Sequence, residues 1–393
     1  MISNVELQRK RSGLTQTELS SLIGISRRTL SSIEKATSIP SVDIALKLAQ
    51  ILNTSVENLF LIENKNTDEV IIDSPNTDII SNRNNWDEFT FIDLFAGIGG
   101  IRLGFESVGG KCVFSSEFDE DACKTYEANF GEHPSGDITK INAKDIPDFD
   151  ILLGGFPCQA FSIIGKKEGF ANETCGTLFF DIERILKEKR PKAFMLENVR
   201  NLVAHDNGNT FRIIKEHLEA IGYNVHAKVL NALDYGVPQK RERIIIVGFL
   251  KNIPFNFPKP IESSQRLTLL DILEENVDKK YYVRESIKIS RLERLKDKDY
   301  PKPYISHENM AGAVTPHPYS SALRAGASAN YILINDERRP TEREMLRIQG
   351  FPDSFKIVLP YGKIKKQCGN SVAVPVIKAV ASQMLNALKM YDN

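Results

Sequence analysis

The chain is poor in the features that mark secreted, metal-holding or membrane-spanning proteins. Five cysteines, Cys112, Cys123, Cys158, Cys175 and Cys368, are spread over its 393 residues. None forms a Cys-x-x-Cys pair or stands at zinc-ligand spacing with histidine, so no metal site is expected. An odd set of unclustered cysteines reads as free thiols, not a disulfide framework. Four read as small buried residues, and Cys158 is set apart by its neighbours. No apolar run reaches about 18 residues, so no membrane span is indicated. The opening MISNVELQRKRSG lacks the basic-then-apolar order of a secretion signal, which points to a cytoplasmic protein. The formal net charge is zero. That neither supports nor excludes a nucleic-acid partner, because local patches decide the matter. No internal repeat is present.

What is present changes character along the chain. Residues 1–65 carry dense helical periodicity. Residues 66–88 are rich in Asn, Asp, Ser and Thr, the composition of a linker, with a short edge strand at Val70–Ile72. From Thr90 short apolar runs alternate with helical patterns. TFIDLFA, CVFSSEF, FDILLGG, AFMLENV and RIIIVGFL read as buried strands. The stretches 119–130, 177–189 and 209–222 read as helices between them. Such alternation predicts a mostly parallel α/β sheet over residues 89–250. The rhythm breaks across 251–336, where prolines, charges and short β-like pieces scatter. Residues 337–393 end in a helical pattern, 371-SVAVPVIKAVASQMLNALKM-390, that would pack back onto the sheet.

The N-terminal stretch 15-TQTELSSLIGISRRTLSSIEKATSIPSVDIALKLAQIL-52 has a compact logic. Thr15 and Ser26 are expected helix N-caps, and Thr15 with Glu18 fits a capping box. Leu19, Leu22 and Ile23 are expected on one apolar face, and Leu30 and Ile33 continue it. Gly24 falls where two helices need a sharp turn. Arg27, Arg28, Thr29 and Ser32 are left for the solvent face. The module resembles the phage-repressor (Cro/C1-type) helix-turn-helix. By that resemblance Gln16 contacts phosphate, and Arg27, Arg28 and Ser31 face the major groove of double-stranded DNA. Seven basic side chains stand against five acidic ones, including Glu34, so the module is only mildly basic. The plainer structure is a small helical bundle with an ordinary charged face.

In 91-FIDLFAGIGG-100 a strand runs into a glycine cluster, and a helical pattern follows. Glycines there let backbone approach a ligand at a helix N-terminus. The next strand ends in Glu117, about 20 residues on, where an acidic side chain can take ribose hydroxyls. After a third strand-like stretch, Asp137 is placed to accept from an exocyclic amine. A dinucleotide is one candidate ligand. The spacing departs from Gly-x-Gly-x-x-Gly, and an adenosine ligand such as S-adenosylmethionine fits as well or better.

In 154-GGFPCQAFS-162 the thiol of Cys158 falls just past a strand's carboxyl end, where ligands bind in open α/β sheets. Pro157 stiffens the turn, and the Gly- and Lys-containing loop 162–176 has the composition of a lid. The strand AFMLENV delivers Glu197 to the equivalent place. In 239-QKRER-243 the alternation of Gln239, Arg241 and Arg243 puts them on one face of an extended chain. A thiolate with a neighbouring protonated acid and cations is a set for covalent catalysis. Thiolate addition at pyrimidine C6, with N3 held by an acid, makes C5 a carbon nucleophile able to take a methyl group from a sulfonium donor. Each residue also has a plainer use: a buried thiol for Cys158, an N-cap for Glu197, a solvated edge for the two arginines.

FxGxGG, a Glu after the second strand, GDI, GGFPCQ, ENV, QxRxR, RxxxxREMxRxQGFP and QCGNSV follow in the order of the cytosine-C5 DNA methyltransferases. The chain resembles that family from about Phe91 to its C-terminus, apart from 250–336. The resemblance implies a Rossmann-like S-adenosylmethionine-dependent methyltransferase fold. Its sheet is mixed, with helices on both faces, a small irregular target-recognition domain at 251–336 and the all-α helix-turn-helix domain before it. It makes Cys158 the nucleophile, followed by Gln159, and gives Glu197 the recognition of N3 and the amino group. Arg241 and Arg243 hold the base and the catalytic loop. Phe95, Ala96, Gly97, Ile98, Gly99, Gly100, Glu117, Phe118, Asp137, Ile138, Pro157, Leu178, Asn370 and Ser371 border S-adenosylmethionine. The family flips its cytosine out of the duplex.

The reading is thus a DNA (cytosine-5-)-methyltransferase protecting host DNA beside a companion restriction endonuclease. Residues 1–65 would occupy a promoter operator as a second activity. The alternatives are a tRNA cytosine-5 methyltransferase, or mainly a transcription regulator. Thr315–Tyr331, rich in small residues, is the expected core of base readout.

Overall fold

A computed structural model describes the chain apart from Met1, Asn4, Gly13, Ala36, Ile39, Asn53, Ser55 and residues 62–87, 158–177, 296–299 and 391–393. Cys158, Gln159, Cys175, the expected lid and the expected edge strand Val70–Ile72 therefore lie outside the described residues. The chain divides into two compact units, Met1–Ile80 and Ser81–Asn393.

The first unit contains β1 (Ile2–Ser3), α1 (Val5–Arg11), α2 (Gln16–Ile23), α3 (Arg27–Glu34), α4 (Val42–Ile51), α5 (Val56–Leu59) and β2 (Phe60–Leu61), with β1 antiparallel to β2. The local signals act as expected. Thr15 Oγ1 accepts from Glu18 N at 3.2 Å while Glu18 Oε2 accepts from Thr15 N at 2.7 Å, the reciprocal capping box. Ser26 caps α3 by accepting from Thr29 N at 3.0 Å. Gly24 ends α2 at φ 81°, a left-handed turn that disfavours any other residue. Leu19, Ile23, Leu30, Ile33 and Leu48 form the core. Leu22 departs from expectation: it is 60% exposed. Leu19, Ser20 and Ile23 set the buried stripe of this short helix, and at 3.6 residues per turn Leu22 lies roughly 100° from its centre.

The second unit is built on a sheet of order β4 (Gly110–Ser116), β3 (Phe89–Leu94), β5 (Ile151–Gly155), β6 (Ala193–Val199), β9 (Glu242–Phe249) and β7 (Asn224–Asn231). The first four are mutually parallel, and β9 runs antiparallel to both its neighbours, so the sheet is mixed. β7 is a strand the sequence reading missed. It is the sheet's edge, only half-buried, and has no apolar run to announce it. The strand-like stretch expected before Asp137 is also corrected. α7 (Glu120–Phe130) leads through a loop to Asp137, which caps a single 3-10 turn, Ile138–Lys140.

Alternate residues of the central strands feed two cores. Phe91, Leu153, Met195 and Val247 face α6 (Gly100–Glu106) and α14 (Val374–Lys389). Ile92, Leu152, Phe194, Leu196 and Ile246 face α8 (Leu178–Lys189) and α9 (Asn209–Ala220). Burial on both faces explains why these strands read as continuous apolar runs. A third core joins α10 (Leu269–Ile272), β10 (Ile305–Glu308) and β13 (Ile332–Ile334) to α12 (Glu342–Ile348) and α13 (Tyr361–Asn370). β10 lies between β11 (Val314–His317) and β13, and α11 (Glu285–Leu295) packs on β11. β12 (Ser320–Ser321) pairs in parallel with β8 (Gln239–Lys240), which directly precedes β9, tying this region to the six-stranded sheet. Helical residues 361–389 are long and apolar enough to cross a membrane by length and composition, but 61% of the apolar window is buried inside the fold. Cys112, Cys123 and Cys368 are free and buried, as expected.

Candidate active site and a basic hollow

The carboxyl ends of β3, β4, β5 and β6 open into a cleft of about 830 Å³. After β3 the backbone turns sharply. Phe95 has φ 57°, Gly97 56° and Gly99 80°. A bulky residue held in left-handed backbone is strained, and such residues gather at ligand sites. Glu117 secures the turn. Its Oε2 accepts from Gly97 N at 2.8 Å, and Oε1 accepts from Phe118 N and Asp119 N at 2.9 and 2.8 Å. Gly99 is the N-cap of α6. It shapes the turn and, unlike the other expected cofactor residues, does not line the cleft. Phe118 is 73% exposed at the cleft wall, presenting an open ring face. Asp137 also lines the cleft, its carboxyl held below the usual range first by the Thr139 hydroxyl, 2.8 Å away. An adenosine fits this lining: backbone turned toward it, an acid for ribose, a ring to stack on and an acceptor for an amine.

The same cleft reaches Glu197 at the end of β6, beside Gly155 of β5. Glu197 is 9% exposed, and its Oε1 lies 3.0 Å from Arg243 Nε. Burial raises its carboxyl pKa, against the pull of Arg243 and then Arg241. Asn198, buried next to it, donates from Nδ2 to Phe156 O at 2.9 Å. That bond ties the turn entering Pro157 to the strand carrying the acid. Pro157 and Leu178, which flank the undescribed segment, both line the cleft, as do Asn370 and Ser371.

Arg241 also lines the cleft, but its guanidinium is committed to backbone. It donates to Leu323 O at 3.0 Å, to Gly369 O at 3.1 Å and to Ser371 O. Burial, with Arg243 second, pushes it down to about 9, which still leaves it cationic at neutral pH. Gln239 is fully buried and bonds Leu323 N, Ile348 O and Gln349 Oε1. Of the three alternating residues only Arg243 meets the acid. Sequence reasoning missed the cleft's ionic rim. Lys366 pairs with Asp119 at 2.7 Å and Lys363 with Asp121 at 2.5 Å, joining α13 to the start of α7. These pairs link positions over 240 apart, and no local pattern marks them.

In the first unit, Gln16, Arg27, Arg28, Ser31, Ser32, Lys35 and Thr37 line a hollow of about 630 Å³. Glu34, counted above against the module's basicity, is withdrawn from it. It is buried in an ion pair with Arg9 at 2.6 Å, and it accepts from Gln16 Nε2 at 2.6 Å. Gln16 Oε1 in turn accepts from Arg27 Nε at 3.4 Å. The hollow therefore carries three cations and no carboxylate in its lining.

The family model of the C-5 cytosine-specific DNA methylases matches residues 89–386. The chain belongs to this family. A helix-turn-helix model matches residues 5–59. The type II methyltransferase M.HaeII of Haemophilus aegyptius is 57% identical over 303 residues, which is 77% of this chain and 95% of that protein. M1.ScrFI of Lactococcus lactis subsp. cremoris is 43% identical over 405 residues, 98% of this chain and 95% of the relative, so likeness there extends into the N-terminal unit. The S. pombe Dnmt2 methyltransferase structure shares the fold at TM-score 0.58 and 19% identity, over 77% of this chain and 99% of that one. This C5 cytosine DNA methyltransferase is thus of the restriction–modification type, with a helix-turn-helix domain.

Proposed function

We propose that the methyltransferase acts through a covalent adduct between Cys158 and C6 of a flipped-out cytosine, with S-adenosylmethionine as cofactor. The observation that carries this reading is Glu197: an acid kept toward its protonated form by burial, on the strand beside the one that leads to Pro157 and Cys158. Cys158 adds to C6 as the thiolate. Glu197 hydrogen-bonds N3 and the amino group, so electron density returns to C5. S-adenosylmethionine supplies the methyl group from its sulfonium. Loss of the C5 proton then restores the C5–C6 double bond and expels the thiolate. Gln159 follows the nucleophile in the sequence. Arg243 fixes Glu197, and Arg241 braces the backbone of Ser371. Phe95 to Ile98, Gly100, Glu117, Phe118, Asp137, Ile138, Pro157, Leu178, Asn370 and Ser371 would hold the cofactor. The test is label transfer from methyl-labelled donor to duplex DNA, with trapping on 5-fluorocytosine DNA. Wild type should form a denaturation-resistant complex and Cys158→Ala none. Label transfer undiminished in Cys158→Ala would sink the reading.

The three-cation hollow supports a second activity for the N-terminal unit. Gln16, Arg27, Arg28 and Ser31 bind an operator upstream of its own gene or of a companion restriction gene, and repress it. The setting is cytoplasmic, where both DNA and cofactor are met. Deleting residues 1–65 should abolish promoter occupancy while methylation persists; unchanged occupancy would refute the regulatory role.

A further inference from the structure

The loop Leu323–Ala327 is held from beneath by buried polar groups. Gln239 Oε1 accepts from Leu323 N at 3.1 Å, and Arg241 donates to Leu323 O at 3.0 Å. Lys365, only 9% exposed, donates to Ala327 O at 2.5 Å and reaches Ala325 O at 3.5 Å. A Cβ on Gly369 would collide with the Ala325 backbone, so the loop lies directly against α13. Arg241 and Gly369 both line the cleft that contains Glu197. The loop therefore packs directly behind two residues that line the cleft.

Arg324 stands on the outer side of this loop. Its backbone N donates to the Tyr331 hydroxyl at 3.0 Å, and its guanidinium lies 5.0 Å from the centre of the Tyr331 ring. Nη2 is 3.2 Å from His307 Nε2. Burial and then the Arg324 charge push the His307 pKa down, so its ring nitrogen is free to accept. Among the described residues no carboxylate pairs with Arg324, and the side chain is exposed. A long, rotamer-rich side chain has thus been ordered in advance without using up its donors. The adjoining Ala325, Gly326 and Ala327 are small enough to let a groove come close.

We infer that Arg324 is a specificity-determining residue that reads a guanine flanking the target cytosine, donating in bidentate fashion to O6 and N7. This rests on the chain acting as a DNA methyltransferase. A duplex that delivers its cytosine to Glu197 comes close to this loop, which backs the cleft residues Arg241 and Gly369 and carries the fixed fork on its exposed side. Guanine is the base that presents two acceptors in the major groove to match it. A phosphate contact would need only a point charge, with no bracing of the fork's plane.

The test is methylation of a duplex library with one fixed cytosine and randomised flanks, read by sequencing after bisulfite treatment. Wild-type turnover on the library checks the methyltransferase activity separately. Wild type should require guanine at one flanking position. Arg324→Ala should lose that preference by roughly 5- to 150-fold while leaving preferences elsewhere intact, the range expected for one bidentate pair. Arg324→Lys should keep overall affinity but recover little of the discrimination. An unchanged profile in Arg324→Ala, a uniform loss across all sequences as expected for a phosphate contact, or no guanine preference in wild type would each overturn the assignment.

Discussion

Arg243 Nε lies 3.0 Å from Glu197 Oε1, an ion pair between antiparallel strands at the buried end of the cleft. The two residues oppose each other electrostatically. Burial favours the neutral acid, and the guanidinium favours the carboxylate. Burial prevails, so the acid keeps a proton above the usual carboxylate range while Arg243 fixes one oxygen. An acid meant to hydrogen-bond a pyrimidine N3 near neutral pH needs both conditions.

Glu197→Gln preserves shape but removes the transferable proton. The expected result is a kcat lower by about 10²–10⁴, the usual worth of a positioned acid, with duplex affinity within a few-fold of wild type. Single-turnover label transfer and a binding titration check both halves. A fall in affinity alone would mean that Glu197 only docks the base.

Arg243→Gln tests the coupling through pH. The cation lowers the Glu197 pKa, so removing it raises that pKa and extends the protonated form to higher pH. The alkaline limb of the kcat/KM profile should move upward, whatever happens to its height. A limb that stays in place would show that Glu197 does not control it.

Arg241→Lys should behave as a structural change. One ammonium cannot reach the carbonyls of Leu323, Gly369 and Ser371 together. Hydrogen bonds from charged donors are worth about 1.5–3 kcal/mol each. A loss of about 2–3 kcal/mol in urea unfolding is expected, with the KM for S-adenosylmethionine raised because Ser371 borders the cleft. Wild-type stability would show that the three bonds contribute little.

Residues whose identity is demanded by local geometry were legible in the sequence. Thr15, Glu18, Gly24 and Ser26 each answer a helix-end requirement that falls within four residues. Glu197 and the glycine turn could be placed because strands buried on both faces announce themselves as apolar runs. Residues whose partners are distant in sequence were not legible. Nothing local says that Glu34 is buried against Arg9, that Arg241 spends its donors on carbonyls 82 to 130 positions away, or that Lys366 meets Asp119. β7 escaped because an edge strand need not be apolar. Thr315–Tyr331 was the expected core of base readout, but its residue types did not show that Ser320 pairs with β8 or that Leu323 is clamped by Gln239 and Arg241.

For the N-terminal unit, Lys35→Ala should weaken operator binding, because Lys35 is the hollow's remaining cation beside the two arginines. It should also reduce the slope of log K against log salt by about 1, as expected for one lost phosphate-neutralising cation. Methylation of target DNA should be unaffected. Binding isotherms across a salt series distinguish this from unfolding, which would abolish binding without leaving a shallower slope.

Asp93 offers a stability prediction whose sign follows from burial. It lies fully buried in β3, and desolvation pushes its carboxyl from 3.8 up to about 8, opposed first by the Arg102 guanidinium and reinforced by Glu117 and Glu106. In the unfolded chain it ionises near its ordinary value, so between those two values the folded state binds more protons. Stability from this group is then full below about pH 4, declines as pH rises, and levels off above about pH 8. Asp93→Asn cannot ionise and lacks this decline. Urea unfolding of both proteins between about pH 5 and 8 should show wild type losing stability relative to the variant at each step upward. A difference that stays constant across the window would mean that Asp93 is already ionised in the folded protein, its charge held by Arg102.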